Sequence, residues 1–242
     1  MKNGSKKEHS GNTENVSVAK NCRFISYATL LFSIILTFLI WKFNHGGHGL
    51  NKYIVGNAML LLWVPMLTVF FVFRGDMKDF GMKLPENGKW IWSVTAVCML
   101  AIVFILYAPS KWPQFQDYYP IFKQFRHSDP IFWTVNPFKE DFGKMFFAEA
   151  SYGFYMFCWE FFFRGYLTCA MSKTFGLWAV LIQAVPFMIL HIGKPVEEVI
   201  SSFFAGIILG LIAYYGKSFL PAFIIHYWVS IMFDIMVIFN RG

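Results

Sequence analysis

Six ionisable residues stand inside apolar runs of this 242-residue chain: Glu149, Glu160, Arg164, His191, His226 and Asp234. Even lenient insertion scales charge about 2.5–3.5 kcal/mol for an Asp or Arg at the centre of a membrane helix, so such residues call for a partner or a chemical task. Glu160 and Arg164 are spaced i, i+4, which puts an acid and a base on one helix face where each neutralises the other. Glu149 precedes Glu160 by eleven residues, three turns, and shares that face at another depth, as a charge near a helix end. His191 closes the run Phe187-Met188-Ile189-Leu190-His191, and His226 opens His226-Tyr227-Trp228-Val229-Ser230, with Asp234 one turn further on. A lone histidine in an apolar helix is usually a packing residue. Two on different helices, together with an intramembrane glutamate, suit a convergent polar site. Glu160, His191 and His226 would make a zinc set with a fourth position open for water. Equally, a carboxylate could act as general base on water while histidines donate to the developing oxyanion. The plain alternative for Glu160 and Arg164 is a structural ion pair inside a bundle.

These residues must be held by helices in lipid. Hydrophobic residues make up 57% of the chain and charged ones 14%, with a mean hydropathy of +0.48, whereas soluble domains carry about 25% charged residues. That excludes a soluble enzyme. Seven apolar runs approach the roughly 20 residues a span needs: 24–41, 53–73, 90–108, 145–169, 176–191, 199–215 and 219–239. The expected fold is therefore all-α, a polytopic transmembrane bundle of about seven to eight helices around an intramembrane polar cavity. Residues 1–23 read as a polar, cytoplasmic tail of disordered composition, and 24–242 as one transmembrane domain. Within it, 24–108 are scaffold helices, 109–144 an interfacial loop and 145–239 the site region. The first run reads as a retained signal anchor, with no small-residue cleavage site after it.

With the amino terminus inside, that side carries twelve basic residues against nine, which favours a cytoplasmic amino terminus in an inner or plasma membrane. Basic residues gathered in the tail and loops suit topology and anionic lipid rather than nucleic acid. Cys22, Cys98, Cys158 and Cys169 show no paired spacing and read as packing residues. Trp112, Tyr118, Tyr119, Phe132 and Trp133 in the long loop read as interfacial anchors. Ser201, Ser202, Ala205, Gly206 and Gly210 would let a second helix approach closely. Lys194-Pro195-Val196-Glu197-Glu198 reads as a helix start, with acids at the positive dipole end. Counted at about 1.5 Å per residue from the nearest turns, Glu160, His191 and His226 lie on the order of 20, 22 and 13 Å deep. Convergence thus requires tilt or kinking, for which Pro186 and Pro221 offer places.

Glu160-x-x-x-Arg164-Gly165, Phe187-x-x-x-His191 and His226-x-x-x-Ser230, in that order, resemble the CPBP family of CAAX-processing and bacteriocin-processing intramembrane proteases, also called the ABI family. The resemblance covers roughly 145–235. Its pattern is Glu-Glu-x-x-x-Arg, Phe-x-x-x-His and His-x-x-x-Asn or Asp, so Trp159 stands in place of the first Glu and Ser230 in place of Asn or Asp. The resemblance implies a helical bundle with an intramembrane cavity, cleaving membrane-associated or prenylated peptides by a glutamate-activated or metal-bound water. The implied roles are Glu160 as base or ligand, His191 and His226 as ligands or oxyanion donors, Arg164 orienting Glu160, and Ser230 supporting the oxyanion. Zinc is the cofactor such a set would take. Two other readings use the same residues: a catalytically degenerate member acting in peptide binding or bacteriocin immunity, or a haem or quinone protein with His191 and His226 as axial ligands.

Overall fold

The computed structural model describes residues 5–125, 138 and 142–241, with side chains from residue 20 onward. Phe132 and Trp133 of the long loop therefore lie outside the described residues. Every regular element among the described residues is a helix, as the apolar runs require. α1 (Ser5–Asn44) begins well before its apolar run, inside the segment whose composition suggests disorder. Once a long apolar helix is nucleated, extending it through polar residues costs little per residue. α2 (Leu50–Phe73) and α3 (Gly88–Tyr107) complete the first half. Pro65, which has no N–H to donate, divides α2 between two widened stretches, Met59–Trp63 and Thr68–Phe73. A short α4 (Pro113–Tyr118) follows in the long loop.

The second half begins with α5 (Phe142–Glu160), which continues as a π-helical stretch over Phe161–Cys169 and ends as α6 (Ala170–Phe175). Then come α7 (Trp178–Ile189), α8 (Val196–Gly216) and α9 (Leu220–Asn240). Among the described residues, five helices are long and apolar enough to cross a membrane: Lys20–Asn44, Leu50–Phe73, Gly88–Lys111, Val196–Gly216 and Leu220–Asn240. The expected run 145–169 is a continuous helix but carries the polar site residues. Run 176–191 contracts to the 12-residue α7, about 18 Å at 1.5 Å per residue, short of a core of about 30 Å.

Loop contacts sort the ends of the bundle. At one end Glu86 N–H donates to Gly216 O (2.8 Å), Ser218 Oγ to Lys83 O (2.5 Å), and Ser26 Oγ to Ala170 O (2.9 Å). The first turns of the α1 span, loop 74–87, α6 and the α8–α9 turn thus share one face. At the other end Asn240 Nδ2 donates to Ser110 Oγ (2.7 Å), and Phe233 of α9 meets Phe115 and Tyr119 edge-on. Outward positions such as Phe71 and Phe104 are large, apolar and exposed, as lipid-facing residues must be. The small-residue stripe of α8 does what its composition implies. Gln183 Nε2 of α7 donates to Gly206 O at 2.8 Å, and a Cβ on Gly210 would stand 2.7 Å from that same nitrogen.

Candidate active site

α5 turns into its π-helical stretch at Glu160, the first residue of the Glu160–Arg164 pair. Wide turns of this kind recur at functional sites because they re-aim side chains without ending the helix. Here the step keeps Glu160 and Arg164 in register, and Arg164 Nη1 donates to Glu160 Oε1 at 3.0 Å with both side chains wholly buried. The Arg164 guanidinium also lies 4.0 Å from the centre of the Phe187 ring of α7, a cation–π contact in a dry setting. Gly165 is required next door: a Cβ there would stand 2.7 Å from Phe80 O, in the short turn Met77–Phe80 that closes over the helix.

The decisive contact crosses the bundle. His226 of α9 places Nδ1 2.6 Å from the same Glu160 Oε1. A carboxylate already receiving Arg164 is an acceptor, so Nδ1–H donates, and in the neutral ring Nε2 is then the nitrogen without a proton. His191 is set the same way by a different partner. Its Nδ1 lies 2.8 Å from Phe187 O, an oxygen that can only accept, so Nδ1–H donates and Nε2 is bare. Phe187 packs against both rings, with centroids 4.7 Å from His191 and 5.7 Å from His226. Arg164 of α5, His191 in the turn after α7 and His226 of α9 therefore meet around one phenylalanine, with Glu160 bonded to two of them.

Three cavities open onto this cluster, and His226 lines all of them. One of about 280 Å³ is polar and aromatic, with Tyr53, Tyr155, Trp159, His191 and Lys194 on its wall. Another, of about 290 Å³, includes Tyr119, Glu198 and Ser230. The third, about 420 Å³, runs between α3 and α8 and combines His191 and His226 with apolar residues such as Ile102, Leu106 and Val229. Glu160 and Arg164 lie behind the cavity walls, fully buried.

Ser230 reaches a cavity shared with His226, as the one-turn spacing implies. Asp234 and Glu149 do not join the cluster; both are buried and face each other from α9 and α5, so Glu149 is not an exposed helix-end charge. Trp159 is nearly enclosed, with its ring edge-on to His191 at 5.8 Å. No three His, Cys, Asp or Glu residues among the described residues stand close enough together to hold a metal ion. The Glu160–His191–His226 triplet does not form such a group as arranged, because Glu160 is buried behind the cavity walls and its Oε1 already accepts from Arg164 and from His226 Nδ1.

Pro195-Val196-Glu197-Glu198 does start α8, yet Glu198 also lines two of the cavities. It accepts from Lys194 Nζ and from the Tyr119 hydroxyl, each at 2.7 Å. Burial first, and then the Glu198 carboxylate, push the Tyr119 hydroxyl well above its ordinary pKa, so it remains a donor. The i, i+4 spacing of Lys194 and Glu198 signals their pair in the sequence, whereas nothing in the loop marks Tyr119 as its third member.

Residues 142–232 match the Type II CAAX prenyl endopeptidase Rce1-like family. This segment belongs to the CAAX-protease family. No curated protein and no solved structure matches the chain. The CAAX-protease segment starts at the first residue of α5 and contains Glu160, Arg164, His191, His226 and Ser230, but not α1, α2 or α3. Multi-pass membrane architecture follows from the long apolar helices and from this family together.

Proposed function

We propose that the protein is an intramembrane endopeptidase that hydrolyses a peptide bond in a membrane-associated or prenylated peptide, with water activated at His226. The observation that supports this most directly is the Arg164–Glu160–His226 chain, which ends in a bare imidazole nitrogen beside three cavities. A carboxylate on Nδ1 fixes the tautomer and stabilises the imidazolium once Nε2 takes a proton. In the proposed step His226 Nε2 removes a proton from water as its oxygen bonds to the peptide carbonyl carbon. The C–O π electrons move to the carbonyl oxygen, and Ser230 Oγ–H is the donor offered to that oxyanion. The imidazolium then returns its proton to the leaving nitrogen as the C–N bond breaks. His191, with Nε2 bare, accepts the second hydrogen of the water and orients it. Arg164 holds Glu160, and Glu160 holds His226.

The pairing of a polar cavity with an apolar one running between α3 and α8 suits a substrate that is part peptide and part hydrocarbon. The test is turnover of a fluorogenic prenylated peptide and of hydrophobic leader peptides by detergent-purified protein. His226→Ala should abolish cleavage, and Glu160→Gln should lower it together with the melting temperature, because Arg164 is then buried without its carboxylate. A zinc chelator should leave the rate unchanged. Full turnover by His226→Ala would remove His226 from the mechanism.

A second reading rests on Trp159, which puts a bulky indole where the family pattern has an acid. In that reading the same cavities bind a peptide without cutting it. Peptide binding that persists in Glu160→Gln, with no turnover by the folded wild type across the panel, is its expected signature.

A further inference from the structure

At the opposite end of the molecule a cavity of about 510 Å³ lies among loop 74–87, α6 and the α8–α9 turn. Lys78, Lys83, Lys173 and Lys217 line it, with Asp79 and Glu86 as its acids. The four ammonium groups are only half balanced by two carboxylates. Glu86 is fully committed: it accepts from Lys217 Nζ at 2.6 Å and from Lys83 Nζ at 2.8 Å. Those two ammonium groups, Lys217 first, hold its carboxyl down to about 2. The ammonium groups of Lys78 and Lys173 have no hydrogen-bond or ion-pair partner among the described residues.

The position of this cavity selects its ligand. α2 ends at Phe73, α3 begins at Gly88, α8 ends at Gly216 and α9 begins at Leu220, so the cavity sits where four helices leave the apolar layer. Tyr214 and Tyr215 line it, and Trp90 packs edge-on against Tyr215, the aromatic types that mark a headgroup level. From Tyr215 an exposed strip continues down α8 through Ile208 and Phe204, at spacings of seven and four residues that keep one helix face. A cationic bowl thus opens onto an apolar track pointing into the hydrocarbon. A free phosphate would use only the bowl.

We propose that this cavity binds the phosphate headgroup of an anionic phospholipid, with Lys78 and Lys173 as the phosphate donors and an acyl chain lying along Tyr215, Ile208 and Phe204. The lysine bowl shares no residue with the histidine cluster, although Phe204 and Ile208 of the acyl track also line the cavity between α3 and α8; headgroup selectivity at Lys78 and Lys173 therefore stands whether or not the protein cleaves peptides. The volume of the bowl lies within the range of about 300–1,000 Å³ usual for small-molecule sites.

Native mass spectrometry of the detergent-purified full chain, titrated with phosphatidylglycerol, cardiolipin or phosphatidylcholine, tests it. Wild type should retain the two anionic lipids in preference to phosphatidylcholine, and millimolar inorganic phosphate should not displace them. Lys78→Gln/Lys173→Gln should weaken anionic-lipid binding by about 30-fold, as loss of two basic residues at a membrane surface implies. Both lysines are exposed and unpaired, so the variant should keep the wild-type melting temperature. Phe204→Ser/Ile208→Ser should weaken lipid binding and leave any phosphate binding unchanged. Equal retention of all three lipids, wild-type affinity in the lysine variant, or displacement by inorganic phosphate would each overturn the proposal.

Discussion

The two halves of the bundle handle buried polar groups in different ways. In α1 to α3 most of them close within their own helix: Ser33 donates to Leu30 O, Thr68 to Val64 O and Thr95 to Ile91 O. Such bonds are satisfied in any helix that forms, so they do not constrain which helices meet. In α5 to α9 some polar groups also close locally, such as Thr168 on Phe163 O and Ser202 on Val199 O, but others close between helices. His226 reaches Glu160 across 66 residues, Gln183 reaches Gly206, and Tyr227 reaches the Glu149 carbonyl. These bonds exist only if particular helices pack in a particular register. Exceptions in the first half are Asn57, whose Nδ2 donates to Asn44 Oδ1 of α1, and Ser26, which donates to Ala170 O, lies 2.8 Å from Thr174 Oγ1 and fastens the scaffold to the site half. Locally closed polarity makes a helix tolerant, while polarity closed across helices makes it specific.

The sharpest way to break this contrast is at its densest point. His226→Ala should reduce peptide turnover by about 10²–10⁴-fold, the usual worth of a positioned base, and Thr95→Val in α3 should leave turnover unchanged. Next in size is Arg164→Met, which strips the cation from a fully buried pair and leaves Glu160 uncompensated. Breaking such a pair costs about 3–5 kcal/mol, read as a large drop in melting temperature in detergent. Thr68→Val, which removes a hydroxyl bonded within its own helix, should cost about 1 kcal/mol. Comparable losses from Arg164→Met and Thr68→Val would erase the distinction between the halves. Smaller again is Gly210→Ala. The added methyl would meet Gln183 Nε2 at 2.7 Å and Val180 Cγ1 at 2.9 Å, and overpacking of this kind costs about 1–3 kcal/mol.

The same contrast explains what could be read before the fold was known. Glu160 and Arg164 were legible as a pair because helical geometry alone turns a spacing of four into a shared face. The small-residue stripe of α8 was legible for the same reason, since composition along one helix predicts how near another can come. The second partner of Glu160 was not legible. That His226 Nδ1 rather than a metal ion or His191 meets its oxygen depends on how α9 crosses α5. Local pattern does not encode that crossing. Nor does spacing forecast the widened turn over Phe161–Cys169, which sets where Arg164 points, or the contraction of run 176–191 to twelve helical residues. Tyr119 illustrates the limit well: it read as an interfacial anchor, and its hydroxyl instead completes an ion pair on a helix nearly eighty residues away.

The smallest effect concerns a contact that joins the halves at the surface. Glu86 lies in the loop between α2 and α3, and its partner Lys217 caps α8. Because Lys217 and then Lys83 hold the Glu86 carboxyl down to about 2 in the folded protein, the sign of the pH effect is fixed. Any stability from this contact is fully present above the ordinary carboxyl range near 4.5 and fades as pH falls toward 2. Glu86 and Lys217 are both exposed, so water and salt screen the contact strongly. Melting curves at pH 6 and pH 2 should therefore show Glu86→Gln slightly less stable than wild type at the higher pH, converging with it at the lower. Raising the salt to 1 M should close the gap at pH 6 as well. A gap that survived both acid and salt would mean that Glu86 holds the halves together by shape, through its backbone bond to Gly216, and not by charge.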